Sequence, residues 1–151
     1  MKKKKFEKEI GMLQMNLGII RKLGGWSPKE LGDMIGSTKQ TIFNLENMKT
    51  PMSLTQYIAI RSLIDHAIEL NPTDKLLSKS VDILVNNSDA YKPDDLSEIR
   101  DNLIVIAAAK SAGITNDSVS TFLSSSKLSE KISSVETDDT QIENWKNIIW
   151  A

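Results

Sequence analysis

The chain has no cysteine and one histidine, His66. Without thiols there can be no disulfide and no thiolate metal site, and a lone imidazole does not make a zinc centre. A cysteine-free composition also suits a reducing compartment. Aromatic residues are scarce at 5%, so a core must be assembled from Leu, Ile, Val, Met and Ala. No apolar run approaches the ~18–20 residues needed to cross a bilayer. The lysines at positions 2–5 look like the start of an export signal, but Phe6-Glu7-Lys8-Glu9 stands where an apolar stretch should follow. A cytoplasmic location is therefore expected. The sequence has no phosphate-cradling glycine loop, no nucleophile elbow and no metal-spaced histidine pair. No enzymatic activity, no cofactor and no metal site are expected.

What is present belongs to a soluble globular protein: 40% apolar and 26% charged residues over 151 positions, room for one ordinary domain or two small ones. The net charge of −1 argues at first against a polyanionic partner. Its distribution argues the other way. Residues 1–66 carry 11 Lys/Arg against 6 Asp/Glu, net +5, and residues 67–151 carry 8 against 14, net −6. A basic front half and an acidic rear half suggest a polyanion-binding module joined to something else.

Helical periodicity dominates. Ile10, Leu13, Leu17, Ile20 and Leu23 fall on one face of a helix over residues 7–23, which Gly24-Gly25 ends. Ser27-Pro28-Lys29-Glu30 is a helix start in miniature, with an N-cap, Pro at the first helical position and Glu closing a capping box. Gly36 stops that helix after about two turns. Ser37 or Thr38 caps the next, which runs through Thr41, Ile42, Leu45 and Glu46. Asn47–Pro51 breaks the pattern, and Ser53 caps a longer helix ending near Asn71-Pro72. In the rear half, residues 74–86 read as a helix, although Val81–Val85 alone would also suit a strand. Asn86–Pro93 reads as a linker. Residues 95–112 form the clearest helix there, with Leu96, Ile99, Leu103, Ile106 and Ala107 on one face and Gly113 at its end. A Ser-rich segment (118–134), an acidic one (136–139) and a short amphipathic helix with Ile142, Trp145, Ile148, Ile149 and Trp150 complete the chain. That last helix either docks on the domain or a partner, or leads into a longer protein.

One constellation stands out. Two short helices that cross steeply through a tight turn need a small residue on the inner face of the first and a positive φ in the turn. Gly32 and Gly36 meet those needs, and Ile42 can fill the wedge above Leu31, Ile35 and Leu45. With Glu30 through Asn47 in this register, followed by Lys49-Thr50-Pro51, the sequence resembles the Cro-like phage-repressor family of helix-turn-helix proteins over residues 7–70. The resemblance implies a lambda-repressor-like bundle of four or five helices that binds duplex DNA, most often as a symmetric dimer controlling transcription. The fold expected is all-α: this bundle in residues 1–71, then a mainly helical region, 72–151, for dimerisation or partner binding.

Carried over by position, the reading helix is Thr38–Asn47. Thr38, Lys39, Gln40, Thr41 and Asn44 would face the bases. Gln40 and Asn44 can each bond an adenine edge bidentately, Lys39 can reach guanine or a phosphate, and Thr can touch a thymine methyl. Ser37, Asn47, Lys49 and Thr50 would hold phosphates, while Glu46 looks structural. The sequence departs from the family pattern at three positions. Pro28 replaces a common Gln and loses its contact; Met48 sits where Gly is common; Phe43 is apolar at a usually polar position.

The remaining features have plain readings. Lys2–Lys5 reads as a solvated tail more readily than as an arm into the minor groove. His66 is an ordinary helix residue, and Asp65/Glu69 and Asp94/Asp95/Glu98 serve caps and dipoles. The expected function is sequence-specific duplex DNA binding by a homodimeric transcriptional regulator, a repressor, on a pseudo-palindromic operator. The alternative is an antitoxin-like or protein-interaction component whose rear half binds a partner.

Overall fold

In the computed structural model, residues 6–73 and 75–113 are described, and these are helical, with no strand among them. The expectations for the lysine run, the Ser-rich and acidic segments and the C-terminal helix fall outside the described residues. The chain divides into two compact units, the division falling between Ser78 and Lys79 in the sequence.

The first unit opens with α1 (Glu7–Met15) and α2 (Leu17–Gly24) where periodicity predicted one continuous helix. The break falls on Asn16, which is fully buried. Its side-chain amide donates to the Met12 carbonyl at 2.9 Å, the same oxygen its own backbone N–H reaches at 3.2 Å. Asparagine competes for helix carbonyls in this way and so disfavours regular continuation. Gly25, with φ 81°, closes α2.

α3 (Pro28–Met34) starts as the sequence indicates: Ser27 Oγ accepts from the Glu30 N–H, and Glu30 Oε1 accepts from the Ser27 N–H, both at 3.1 Å. Ser53 and Gln56 repeat the device for α5 (Leu54–Leu70). Between them α4 (Lys39–Glu46) is capped by Thr38, not Ser37, through a 3.1 Å bond from the Thr41 N–H.

The apolar faces converge on one core. Leu13, Leu17, Ile20, Leu31, Ile42 and Leu45 are all buried, with Tyr57, Ile60 and Ile64 of α5 equally covered. Each side chain of this size contributes about 1.5–3 kcal/mol by leaving water. Ile35, expected beneath the wedge, is half-buried. On α5, Arg61 and Asp65 are buried one turn apart. Asp65 is thus an interior group and not the cap or dipole carboxylate expected, whereas Glu69 and His66 are exposed.

In the rear segment the strand option for Val81–Val85 is excluded. α6 (Lys75–Val81) runs into a π-helical turn, Asp82–Asn86, followed by a 3-10 turn at Ser88–Ala90. The wide turn has a local cause. Asn87 bonds Asp82 twice, backbone N–H to carbonyl at 2.7 Å and side-chain amide to carboxylate at 2.8 Å, which favours five-residue spacing over four. α7 (Pro93–Ser111) buries Ile99, Leu103, Ile106 and Ala107 and leaves Ile104 and Val105 exposed; Leu96 is half-buried.

Candidate nucleic-acid interface

α3 and α4 pack closely across the turn that joins them. Gly32 explains why. A Cβ built on it would stand 2.8 Å from the Thr38 carbonyl carbon and 2.9 Å from its oxygen, so the start of α4 rests directly on the α3 backbone. Gly36 adopts φ 70°, and the Ser37 N–H folds back to the Gly32 carbonyl at 2.7 Å. These contacts set the angle at which α4 leaves the turn.

Ion pairing secures the far end of α4. Arg21 Nε donates to Glu46 Oε1 at 2.8 Å, and its Nη1 donates to the Trp26 carbonyl at 2.8 Å. With side chains only 11% and 15% exposed, the pair neutralises the one acid of α4 inside the domain. Glu46 is therefore a structural residue. Along Ser37–Thr50 that leaves Lys39 and Lys49 as the outward charges.

The residues assigned to DNA by sequence emerge together on this surface. Thr38, Lys39 and Gln40 are exposed at the first turn of α4, and Thr41 and Asn44 are half-exposed. They also bond one another. Thr38 and Thr41 hydroxyls lie 3.0 Å apart, and Gln40 Nε2 donates to Asn44 Oδ1 at 3.0 Å. The last bond changes what the two amides can do. Gln40 keeps a free carbonyl oxygen and Asn44 a free NH2, an acceptor beside a donor. An adenine edge offers the complementary donor N6–H and acceptor N7. The pair can therefore serve one adenine jointly, where the sequence suggested two separate bidentate contacts.

Of the phosphate candidates, Asn47, Lys49 and Thr50 are exposed on the segment after α4, and Ser37 is half-buried in the turn before it. Ser37 has already spent its N–H on Gly32, leaving its hydroxyl; Asn47 Nδ2 donates back to the Phe43 carbonyl at 2.8 Å. Lys49 holds its ammonium 4.8 Å from the centre of the exposed Phe43 ring. This cation–π contact gives Phe43 a role that its apolar character did not reveal. Met48, where the family pattern has Gly, takes the left-handed conformation regardless, at φ 58°. Pro28 occupies the first position of α3 and offers no N–H.

Sequence reasoning missed Gln14. It lies buried on α1, and its amide reaches three backbone groups around the end of α4. A polar residue inside an apolar helix face was the available signal.

Residues 17–64 match the family model described as helix-turn-helix. No curated protein and no solved structure matched the chain. Among the described residues no helix is long and apolar enough to cross a membrane.

Proposed function

We propose that the helix-turn-helix domain of residues 17–64 makes this protein a sequence-specific duplex-DNA-binding transcriptional regulator, a repressor acting in the cytoplasm. One observation carries the reading. The close approach of Gly32 to Thr38 holds an α4 whose outward side chains, the exposed Phe43 apart, are polar and free of acid. Such a surface suits the major groove, with Thr38, Lys39, Gln40, Thr41 and Asn44 toward the bases and Ser37, Asn47, Lys49 and Thr50 toward phosphates. The family match supports the DNA-binding regulator in general. A homodimer follows on physical grounds, since a single module of this size buries little DNA. Its half-sites would then lie about one helical turn apart, with residues 72–151 supplying the dimer or partner surface.

The test starts from sites selected out of a random duplex pool. Gln40→Ala and Asn44→Ala should each lose preference at the same adenine, by about 1–3 kcal/mol, while non-specific binding persists. Because the two amides act as one reader, the double variant should lose little beyond either single change. Full preference retained by both single variants would remove α4 as the reading helix.

A further inference from the structure

We propose that Gln14 is a positioning residue for the phosphate contacts, fixing the segment between α4 and α5 from beneath; this rests on the DNA reading above. Gln14 is 5% exposed, and its amide is engaged on both sides. Its Nε2 donates to the Leu45 carbonyl at 3.1 Å and the Thr50 carbonyl at 2.7 Å, and its Oε1 accepts from the Met52 N–H at 2.9 Å. One side chain thus joins the last turn of α4 to the chain entering α5. The residues spanned, Asn47 to Thr50, are those with no helix of their own to hold them.

The span is short and bent. Its ends are fixed by Gln14, Met48 turns it through φ 58°, and the Lys49 N–H returns to the Asn44 carbonyl at 2.8 Å. Lys49 and Thr50 are consequently presented on a backbone with little freedom, next to the Phe43 ring on which the Lys49 ammonium sits. Ordering these groups before DNA arrives removes an entropy cost from binding. Gln14 precedes the matched helix-turn-helix residues and lies on α1, which Asn16 separates from α2. The positioning is therefore supplied by an element outside the helix-turn-helix itself.

Gln14→Met keeps the volume and removes all three bonds. Duplex affinity should be measured across a salt series for the wild type, Gln14→Met, Lys49→Ala and the double variant, at a temperature where circular dichroism shows each folded. Gln14→Met should bind roughly tenfold more weakly, with a salt slope shallower by about 1 per bound chain and an unchanged base preference. Lys49→Ala should then cost much less in the Gln14→Met background than alone, a coupling that mere loss of stability does not create. An unchanged slope, or equal Lys49→Ala costs in both backgrounds, overturns the proposal and leaves the DNA reading intact. A wild type that binds no duplex at any salt overturns the DNA reading and this role with it. Should Gln14→Met not fold, NMR of the wild type decides. The Gln14 side-chain NH2 signals should be protected from exchange and shift when duplex engages Lys49 and Thr50, and signals that neither resist exchange nor move would defeat the idea.

Discussion

Replacing Gly32 by alanine sets two opposed effects against each other at one methyl group. In an open helix position alanine is favoured over glycine by about 0.8–1.0 kcal/mol, and burial of the methyl adds up to about 0.8 kcal/mol. At Gly32 the position is not open. The new Cβ would meet the Thr38 carbonyl carbon at 2.8 Å, whereas non-bonded carbons settle at about 3.5–4.0 Å. The start of α4 must retreat by roughly 0.7 Å at least. The obstacle is backbone and cannot rotate aside, so the overpacking cost should fall near the upper end of its range, about 1–3 kcal/mol. The balance is a net loss of about 1–2 kcal/mol. Urea unfolding followed by circular dichroism should show the midpoint lowered by roughly 0.5–1 M, at typical sensitivities for small domains. Gly11→Ala is the internal control: it lies in α1 with nothing within 4 Å of its added Cβ, and should gain about 0.5–1 kcal/mol. Gly36→Ala separates strain from crowding. Its Cβ also meets nothing, but φ 70° should cost about 1–2 kcal/mol without moving α4. If Gly32→Ala raises the midpoint as Gly11→Ala does, the close approach of α3 and α4 is wrong, and with it the account of how the reading face is aimed.

Two further substitutions probe the same domain. Met48 holds a left-handed conformation that penalises any side chain, and its own is exposed, so Met48→Gly should raise stability by about 1 kcal/mol in the same urea assay; a lower midpoint would mean that the methionine packs in a way its exposure conceals. Burial pushes the Tyr57 hydroxyl up to about 12, with the nearby Arg61 charge pulling the other way. A tyrosine in the unfolded chain ionises near pH 10, so above roughly that pH the unfolded state loses its proton first. Tyr57 therefore makes stability fall as pH rises from about 10 toward 12 and adds no pH dependence below that window. Tyr57→Phe should flatten the fall relative to the wild type, and parallel stability curves for the two proteins across the window would contradict the burial argument.

Much of the first unit could be read in advance because its signals are local. A cap is made by residues three apart, so Ser27 with Glu30 and Ser53 with Gln56 announce their helices without reference to the fold. The positive-φ turn at Gly36 is equally local. Features that depend on distant partners were not legible. Arg21 meets Glu46 across 25 positions, and Gln14 meets Thr50 and Met52 across 36 and 38. A periodicity count also has no means of weighing one asparagine that takes a carbonyl from its own helix, so α1 and α2 read as continuous. Arg61 and Asp65 escaped for a related reason. Charged residues are usually solvated, and only tertiary packing reverses that prior. In the rear segment the π turn rests on Asn87 bonding Asp82, a choice that hydrophobic spacing does not encode.

Two sets of polar side chains in the first unit differ in how their bonding capacity is used, and the difference supports the proposed interface more sharply than polarity alone. One set turns inward and bonds protein. Gln14 uses both amide hydrogens and its oxygen, and Arg21 divides its guanidinium between Glu46 and the Trp26 carbonyl. Those on α4 that point outward are only half engaged. Thr38 and Thr41 share a bond between hydroxyls beside the cap that Thr38 gives the Thr41 N–H, and Gln40 and Asn44 share one between amides, which orders the side chains and leaves amide donors and acceptors open. A surface evolved only for solubility gains nothing from fixing its amides in mutual register, because freely rotating side chains are solvated as well and retain their entropy. Pre-ordered but unsatisfied groups pay off when a ligand supplies the complementary pattern, and the major-groove edge of a base pair is such a pattern. The scaffold bonds and the open ones are thus two halves of one arrangement: the first must be complete for the second to be aimed.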